Sequence, residues 1–284
     1  MAFHLDRALR AGCLTAALAP LCAWPAAAAD LAAVLSSGSG PYAEAYAAFE
    51  KALGLEHKRY ELSRKGGNPP DEAGLTVAFG AKAAALNYPP GTHLVYALTP
   101  VHLRGRGWHE ISMLPEPARA LAAYKGLQPG LRRLAVFWTA YPGEGYLSEL
   151  KRAGEAAGVQ VIASRLKSAE GFPERLRSLL GRMDAFWLMP DPPLITQSSI
   201  MVLSKFSCDN AIPFYAPTQA LVASGATAAY APGFAESGAA AARAVKLILS
   251  GARPPQTVYP EHPVLRVSDL PPDKCRWPIA RPAP

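Results

Sequence analysis

The stretch that decides the fold runs from Arg132 to Leu166 and is "RRLAVFWTAYPGEGYLSELKRAGEAAGVQVIASRL". It begins with a continuous apolar run, which is typical of a strand that is buried on both faces. A turn, "TAYPGEGY", follows, and then an amphipathic helix that stops at Gly158 and a second strand, "VQVIASRL". The stretch therefore predicts a strand, a helix and a second strand parallel to the first.

The same alternation extends along both halves of the chain. The strand candidates are "LAAVLSS", "KRYEL", "LTVAFG" and "THLVYALT" in the first half, and "RRLAVFWT", "VQVIASRL", "DAFWLMP", "IPFYAP" and "TAAYAPG" in the second. Strands that alternate with helices at this spacing favour parallel sheets with helices on both faces. The predicted fold class is α/β, with two doubly wound parallel-sheet lobes.

Residues 1–29 have the layout of a secretory signal peptide. Arg7 and Arg10 precede an apolar run, and Pro25 and a tract of alanines close it. We expect cleavage near Ala29 and a periplasmic location. The remaining chain is long enough for two lobes of ordinary domain size. The assigned ranges are 30–133 and 235–252 for lobe 1, and 134–234 and 253–284 for lobe 2.

Composition bears on the partner class and on covalent structure. The formal net charge is +7. The basic residues are scattered and form no one-sided stripe on a recognisable nucleic-acid-binding module, so no nucleic-acid partner is expected.

Two cysteines, Cys208 and Cys275, follow the signal segment. In an oxidising compartment they could form one disulfide bond or stay as two thiols, and the sequence leaves both possibilities open.

The motifs disfavour three kinds of site. The loop "SSGSG" lacks the G-x-G-x-x-G spacing of dinucleotide-binding loops, because Ala43 stands three residues after Gly40. No G-x-S-x-G nucleophile elbow occurs, although an exported α/β hydrolase with a catalytic set assembled in space stays an alternative. His93, His102 and His109 lack the spacing of metal ligands. We expect neither a cofactor nor a metal site.

Reversible binding is the favoured chemistry. Ligands of parallel sheets bind at the carboxyl ends of the strands, where this chain has hydroxyls, tyrosines and single carboxylates. The candidate ligand-binding residues are Ser37, Ser39, Tyr42, Thr99, Tyr141, Glu144, Tyr146, Asp191, Thr218 and Gln219. Glu144 or Asp191 could hold a ligand ammonium group, and the tyrosines could enclose an aromatic part. Each residue taken singly is also explained as a cap, a turn former or a surface residue.

Several segments of the second half carry a family resemblance. After the opening stretch come "MDAFWLMPDPPL" and "AIPFYAPTQALVASGATAAYAPGFAESGAAAARAVKLILSGARPP". Together they resemble the substrate-binding proteins of ABC transporters, the family that includes tryptophan-type amino-acid binders, over about residues 110 to 256. The matching turns are Tyr141-Pro142, Pro190-Asp191, Ile212-Pro213-Phe214 and Gly238-Ala239-Ala240.

The resemblance implies a type I periplasmic-binding-protein fold, whose two α/β lobes are joined by three crossovers and close on a ligand by hinge motion. It also implies a small-molecule ligand, an inner-membrane ABC permease as partner and no catalytic activity, and we expect a monomer. By matching turns, Tyr141, Asp191 and Thr218 would line the cleft from the second lobe, and Ser37 and Ser39 from the first. The alternative binding function is a sensory or accessory subunit that works with a receptor kinase or an outer-membrane transport system.

Overall fold

Strands and helices alternate along the part of the chain that the computed structural model describes, which is residues 31–64, 74–271 and 273–280. The predicted signal segment lies outside these residues. The strands are β1 (Leu31–Leu35), β2 (Lys58–Glu61), β3 (Leu75–Phe79), β4 (His93–Ala97), β5 (Trp108–Ile111), β6 (Arg133–Trp138), β7 (Gln160–Arg165), β8 (Ala185–Leu188), β9 (Phe214–Tyr215), β10 (Ala228–Ala231), β11 (Thr257–Val258) and β12 (Val264–Val267). The α-helices are α1 (Gly40–Leu53), α2 (Ala81–Ala84), α3 (Pro117–Leu127), α4 (Gly143–Ala157), α5 (Phe172–Leu179), α6 (Gln197–Asp209), α7 (Ala220–Ala223) and α8 (Phe234–Leu249).

The strands form two six-stranded sheets. The first sheet has the order β11-β5-β4-β3-β1-β2, and every pair in it is parallel. The second has the order β12-β10-β9-β8-β6-β7, and only β12 runs antiparallel to its neighbour. The strand order changes direction at β1 in one sheet and at β6 in the other, which is the mark of a doubly wound sheet. The predicted α/β class with two parallel-sheet lobes is confirmed.

Both faces of the central strands are buried, as the continuous apolar runs predict. In β8, Phe186 stacks on Phe214 on one face of the sheet, with ring centroids 5.1 Å apart. Trp187 points to the other face and contacts the Tyr124 ring edge-on at 5.3 Å. Tyr124 in turn stacks on Tyr215 at 4.0 Å. These aromatic contacts fill the core of the second lobe on both sides of its sheet.

One strand was not predicted from the sequence, and one extended segment contains two strands that belong to different sheets. The sequence "WHEI" of β5 is polar in its middle, yet Glu110 is only 3% exposed. Within the extended segment "QTVYPEHPVLRV", β11 joins the first sheet and β12 the second. The chain therefore passes between the lobes three times, after β5, after β10 and after β11. This number of crossovers agrees with the expected fold.

The lobe boundaries differ from the predicted ones at two places. Helix α3 falls in the range assigned to lobe 1, but its Leu121 and Tyr124 lie in the core of the second lobe. Strand β11 falls in the range assigned to lobe 2, but it pairs with β5 of the first sheet. Both assignments were wrong because an apolar helix face or a short strand has the same sequence pattern whichever sheet buries it. Helix α8 packs on α1 in the first lobe.

A disulfide bond joins Cys208, near the end of α6, to Cys275 in the C-terminal segment. It is one of the two states that the sequence leaves open. The bond closes a loop of 67 residues, and a crosslink of this kind restricts the unfolded chain.

Of the helices in the described ranges, none is both long and apolar enough to cross a membrane.

The approach of α1 to α8 gives a test of the first lobe. A Cβ atom at Gly238 would lie 1.9 Å from the backbone oxygen of Ala45, so Gly238→Ala must push the helices apart. We expect the free energy of unfolding to fall by about 1–3 kcal/mol in urea denaturation. The control is Gly126→Ala in α3, where a Cβ atom meets nothing within 4 Å. It should be neutral or stabilise by up to about 1 kcal/mol, and equal behaviour of the two variants would contradict the packing.

Candidate functional site

A buried carboxylate fixes the turn that follows β6. Oδ2 of Asp191 accepts hydrogen bonds from the backbone N–H groups of Thr139 at 2.6 Å, Ala140 at 2.7 Å and Tyr141 at 3.2 Å. Asp191 follows β8, the neighbour of β6 in the sheet, and it is only 2% exposed. The expectation that Asp191 holds a ligand ammonium group is therefore wrong for this arrangement. Its carboxylate is buried and is used to hold the turn.

Two tyrosines tie the second lobe to the first crossover. The hydroxyl of Tyr141 donates to Oε1 of Glu110 at 2.9 Å and accepts from the backbone N–H of Met113 at 3.3 Å. The hydroxyl of Tyr146, in the first turn of α4, donates to the carbonyl oxygen of Pro115 at 2.9 Å. Burial raises the pKa of both phenols well above the ordinary value near 10. Both therefore stay neutral and act as hydrogen-bond donors.

His102 makes the contact between the two lobes. Its Nδ1 lies 2.5 Å from Oε2 of Glu110 in the first lobe, and its Nε2 contacts the carbonyl oxygen of Pro142 in the second. Both partners of the ring can accept hydrogen bonds, so the position favours the protonated ring, in which both nitrogens donate. The hydrogen bond to Glu110 is the main cause that raises the pKa of His102 above its usual 6.5, while burial and Arg104 act against it.

A cavity of about 620 Å³ lies beside these contacts, and residues of both lobes line it. We call it the hinge cavity, and define it by Arg104, Glu110, Tyr141, Glu144, Tyr146, Glu149 and Tyr259. Its volume lies within the range of small-molecule sites. Of the predicted site residues, Tyr141, Glu144 and Tyr146 meet here.

The charged groups of the hinge cavity have both signs. Arg104 and Glu144 are exposed, and neither has an ion-pair partner in the described part of the chain. Glu149 accepts a hydrogen bond from the hydroxyl of Tyr259 at 3.2 Å. The cavity therefore offers one free guanidinium group, two accessible carboxylates and several aromatic walls. Within the described ranges, no group of three or more His, Cys, Asp or Glu residues could hold a metal ion.

Three predicted residues of the first lobe lie together at the carboxyl end of β1. The hydroxyl oxygens of Ser37 and Ser39 are 3.1 Å apart. The Tyr42 ring lies over Gly80, where a Cβ atom would be 2.5 Å from the ring. Ser37 and Tyr42 are half-buried and Ser39 is exposed. None of the three lines the hinge cavity, so they form a separate group at the edge of the first sheet.

The remaining predicted residues differ in how far their side chains are buried. Thr218 and Gln219 follow β9 and are half-buried, and Nε2 of Gln219 donates to the carbonyl oxygen of Ala231 at 3.4 Å. Thr99 is 1% exposed, and its hydroxyl donates to the carbonyl oxygen of Ala97 at 3.1 Å. The prediction that Thr99 contacts ligand is wrong for this structure, because the side chain is turned inward and its donor is used.

Several residues of the site were not found from the sequence. Arg104, Glu110, Glu149 and Tyr259 come from four separate segments, and none belongs to a motif with a fixed spacing. His102 lies in the loop after β4, and sequence analysis considered its side chain only as a metal ligand. The signal for Glu110 is a carboxylate between apolar residues of "WHEI", which indicates a buried charge with a partner.

Replacing Asp191 tests whether it serves the fold. Asp191→Ala leaves three backbone N–H groups without their charged acceptor, so we expect the free energy of unfolding to fall by about 2–4 kcal/mol in chemical denaturation. The control is Asp209→Ala, which removes an exposed ion pair with Lys205 and should cost no more than about 1 kcal/mol. A stable Asp191→Ala protein would return this residue to the list of ligand contacts.

His102 predicts a pH dependence of stability. Because its pKa is raised in the folded state, its contribution is fully present below the unfolded value near 6.5 and is lost as pH rises through the folded pKa. The difference in unfolding free energy between the wild type and His102→Gln should be larger at about pH 5.5 than at about pH 8.5. Met201→Gln, at a residue that is 64% exposed and does not titrate, should show a difference that is the same at both pH values. A pH-independent difference for His102→Gln would contradict the protonated contact.

The fold agrees with two kinds of comparison, and no curated protein sequence matches the chain. The substrate binding protein CD0873 from Clostridium difficile, in its ligand-free, open structure, has a TM-score of 0.57 at 16% identity and covers 84% of this chain and 92% of its own. An ABC domain from Streptococcus pneumonia in complex with L-Trp has a TM-score of 0.54 at 15% identity, with 84% and 91% covered.

A LacI transcriptional regulator from Lactobacillus brevis also superimposes, with a TM-score of 0.51 at 14% identity over 81% of this chain and 98% of that one. Identities this low show a shared fold and no shared ligand. The family model of ABC transporter substrate binding proteins matches residues 120–262, which is half of the chain and close to the region of the resemblance. The chain belongs to the ABC transporter substrate-binding protein family.

Proposed function

We propose that the protein binds a zwitterionic small molecule of the amino-acid kind between its lobes and delivers it to an inner-membrane ABC permease. The observation that carries the proposal is the hinge cavity, in which both lobes contribute side chains and free groups of both charges stand near aromatic walls. A solute with one carboxylate, one ammonium group and an apolar part has a partner there for each of its groups.

The charges favour this class of solute over sugars or nucleobases. Arg104 presents a planar guanidinium group, whose donors match the two oxygens of a carboxylate. Glu144 and Glu149 are acceptors for an ammonium group, and they lie on the same helix as Tyr146. The tyrosine rings supply apolar surface at a low cost in side-chain entropy. A neutral sugar would leave all three charged groups without partners.

Ligand binding is coupled to the relative position of the lobes in this proposal. Arg104 belongs to the first lobe, and Glu144 belongs to the second. A solute that contacts both residues binds the closed arrangement more tightly than any arrangement in which the lobes are apart, so it shifts the population toward closure. The contacts of His102 and Tyr141 with Glu110 lie at the same place and support the closed state.

The cellular setting follows from the sequence and the family. The signal-peptide layout of residues 1–29 supports export to the periplasm, and family membership supports a membrane permease as partner and a binding role without catalysis. We propose that the protein acts there as a monomer.

We also propose outer contacts of the same interlobe site at the carboxyl ends of β1 and β9. They are Ser37, Ser39, Tyr42, Thr218 and Gln219.

A thermal-shift screen of the mature protein tests the proposal. The probes are the twenty amino acids, small mono- and dicarboxylates, monosaccharides and nucleobases. An amino acid present at about 100 times its dissociation constant should stabilise the protein by roughly 2.7 kcal/mol. A response to sugars or nucleobases alone would exclude the zwitterion class.

Variants then test where the amino acid binds, with the dissociation constant measured by calorimetry. Arg104→Gln and Glu144→Gln should each weaken binding at least about tenfold, because each leaves one ligand charge without its partner. The matched controls are Arg119→Gln and Glu155→Gln, which replace exposed residues of α3 and α4 outside the cavity. Full affinity in the two cavity variants would remove the hinge cavity from the site.

A further inference from the structure

A second cavity lies at the other end of the first sheet. It has a volume of about 900 Å³, and its walls are the segment before β4, the start of β5 and the chain that follows α8. We call it the basal cavity, and define it by His93, Arg106, Trp108, His109, Ile248 and Arg253. It shares only Gln256 with the hinge cavity. The solute-binding role assigns nothing to it.

The ionisable groups around the basal cavity are all basic. Arg106 and Arg253 are exposed, and neither side chain has a hydrogen bond or an ion pair within the described part of the chain. No Asp or Glu is among the residues that line the cavity. Some arginines elsewhere on the surface do have partners, as in the pairs Arg133–Asp184 and Arg243–Glu236. Two unpaired guanidinium groups at one cavity leave positive charge that an anion could neutralise.

A buried histidine faces the same space. His109 is 8% exposed, and its Nδ1 lies 3.0 Å from the carbonyl oxygen of Pro255. Because a carbonyl only accepts, Nδ1 carries a proton, and Nε2 is the free nitrogen of the ring. Nε2 has no partner among the described residues. Nε2 is not among the buried atoms without a partner, so it faces the open space of the cavity, where a ligand could complete its hydrogen bonding.

The cavity also has a defined shape and an apolar side. A Cβ atom at Gly105 would lie 2.4 Å from the Trp108 ring, and one at Gly107 would lie 2.9 Å from Nδ1 of His93. The two rings therefore rest directly on the backbone of this loop, which only glycine allows. Trp108 and Ile248 give apolar surface next to the two arginines.

We propose that the basal cavity binds a phosphate ester, with the phosphate group between Arg106, Arg253 and Nε2 of His109 and the organic part against Trp108. Two guanidinium groups provide more positive charge than one carboxylate would need, and they match a phosphate group, whose P–OH can donate to Nε2. The ester could come from a soluble metabolite or from a phospholipid headgroup. Both sources present the same phosphate chemistry.

Calorimetry on the mature protein tests the proposal with phenyl phosphate, inorganic phosphate and phosphatidylglycerol vesicles as probes. We expect phenyl phosphate to bind more tightly than inorganic phosphate, because its ring contacts Trp108. Arg106→Gln and Arg253→Gln should each weaken binding at least about tenfold. Both side chains are exposed and unpaired, so the melting temperature should not change. Vesicle binding with the same dependence on the arginines would identify the lipid as a source.

Two controls separate a built site from general surface charge. Arg119→Gln and Arg182→Gln remove the same charge at exposed positions outside the cavity, and they should leave phenyl phosphate affinity unchanged. His109→Gln should weaken phenyl phosphate binding relative to the wild type, because it removes the ring nitrogen Nε2 from the cavity. The proposal is overturned if no probe binds, or if the control variants weaken binding as much as Arg106→Gln and Arg253→Gln. Binding of amino acids at the hinge cavity is unaffected by these variants, so failure here leaves the proposed function intact.

Discussion

The buried carboxylate of Glu110 is the constraint on which the arrangement of the lobes depends. It lies at the point where the first sheet ends and the chain crosses to the second lobe, and it is only 3% exposed. A buried charge is costly unless it is paired and hydrogen-bonded. Glu110 meets this condition with one oxygen on the Tyr141 hydroxyl and the other on His102. His102 also contacts Pro142 of the second lobe. The hydrogen bonds that satisfy the Glu110 carboxylate therefore connect the two lobes.

A second carboxylate makes this junction possible. Asp191 holds three consecutive backbone N–H groups of the turn after β6, and this turn carries Tyr141 and Pro142. Asp191 fixes the turn within the second lobe. Glu110, which belongs to the first lobe, then binds Tyr141 of that turn. The hinge cavity lies beside this junction, and Glu110 and Tyr141 line it.

Most of the fold was predictable because the central strands are apolar on both faces. The run from Leu134 to Trp138 and the run "DAFWL" can be stable only inside a sheet that is covered on both sides, and helices of matching length stand between them. β5 was not predicted, since a strand whose middle residues are His109 and Glu110 is stable only when distant partners satisfy those side chains. The two short strands β11 and β12 could not be assigned to their sheets, because a short strand has the same sequence pattern whichever sheet it joins.

The sequence by itself determined the α/β class, the two lobes and the family, because periodic apolar runs and ordered turns are properties of contiguous residues. It also named Tyr141, Glu144 and Tyr146, which are close together in the chain and line one cavity. Only the tertiary structure decided that Asp191 and Thr99 face inward, and that Arg104, Glu110, Glu149 and Tyr259 share a site. Burial and hydrogen-bond partners of a side chain depend on residues far away in the chain, and no local pattern encodes those distances.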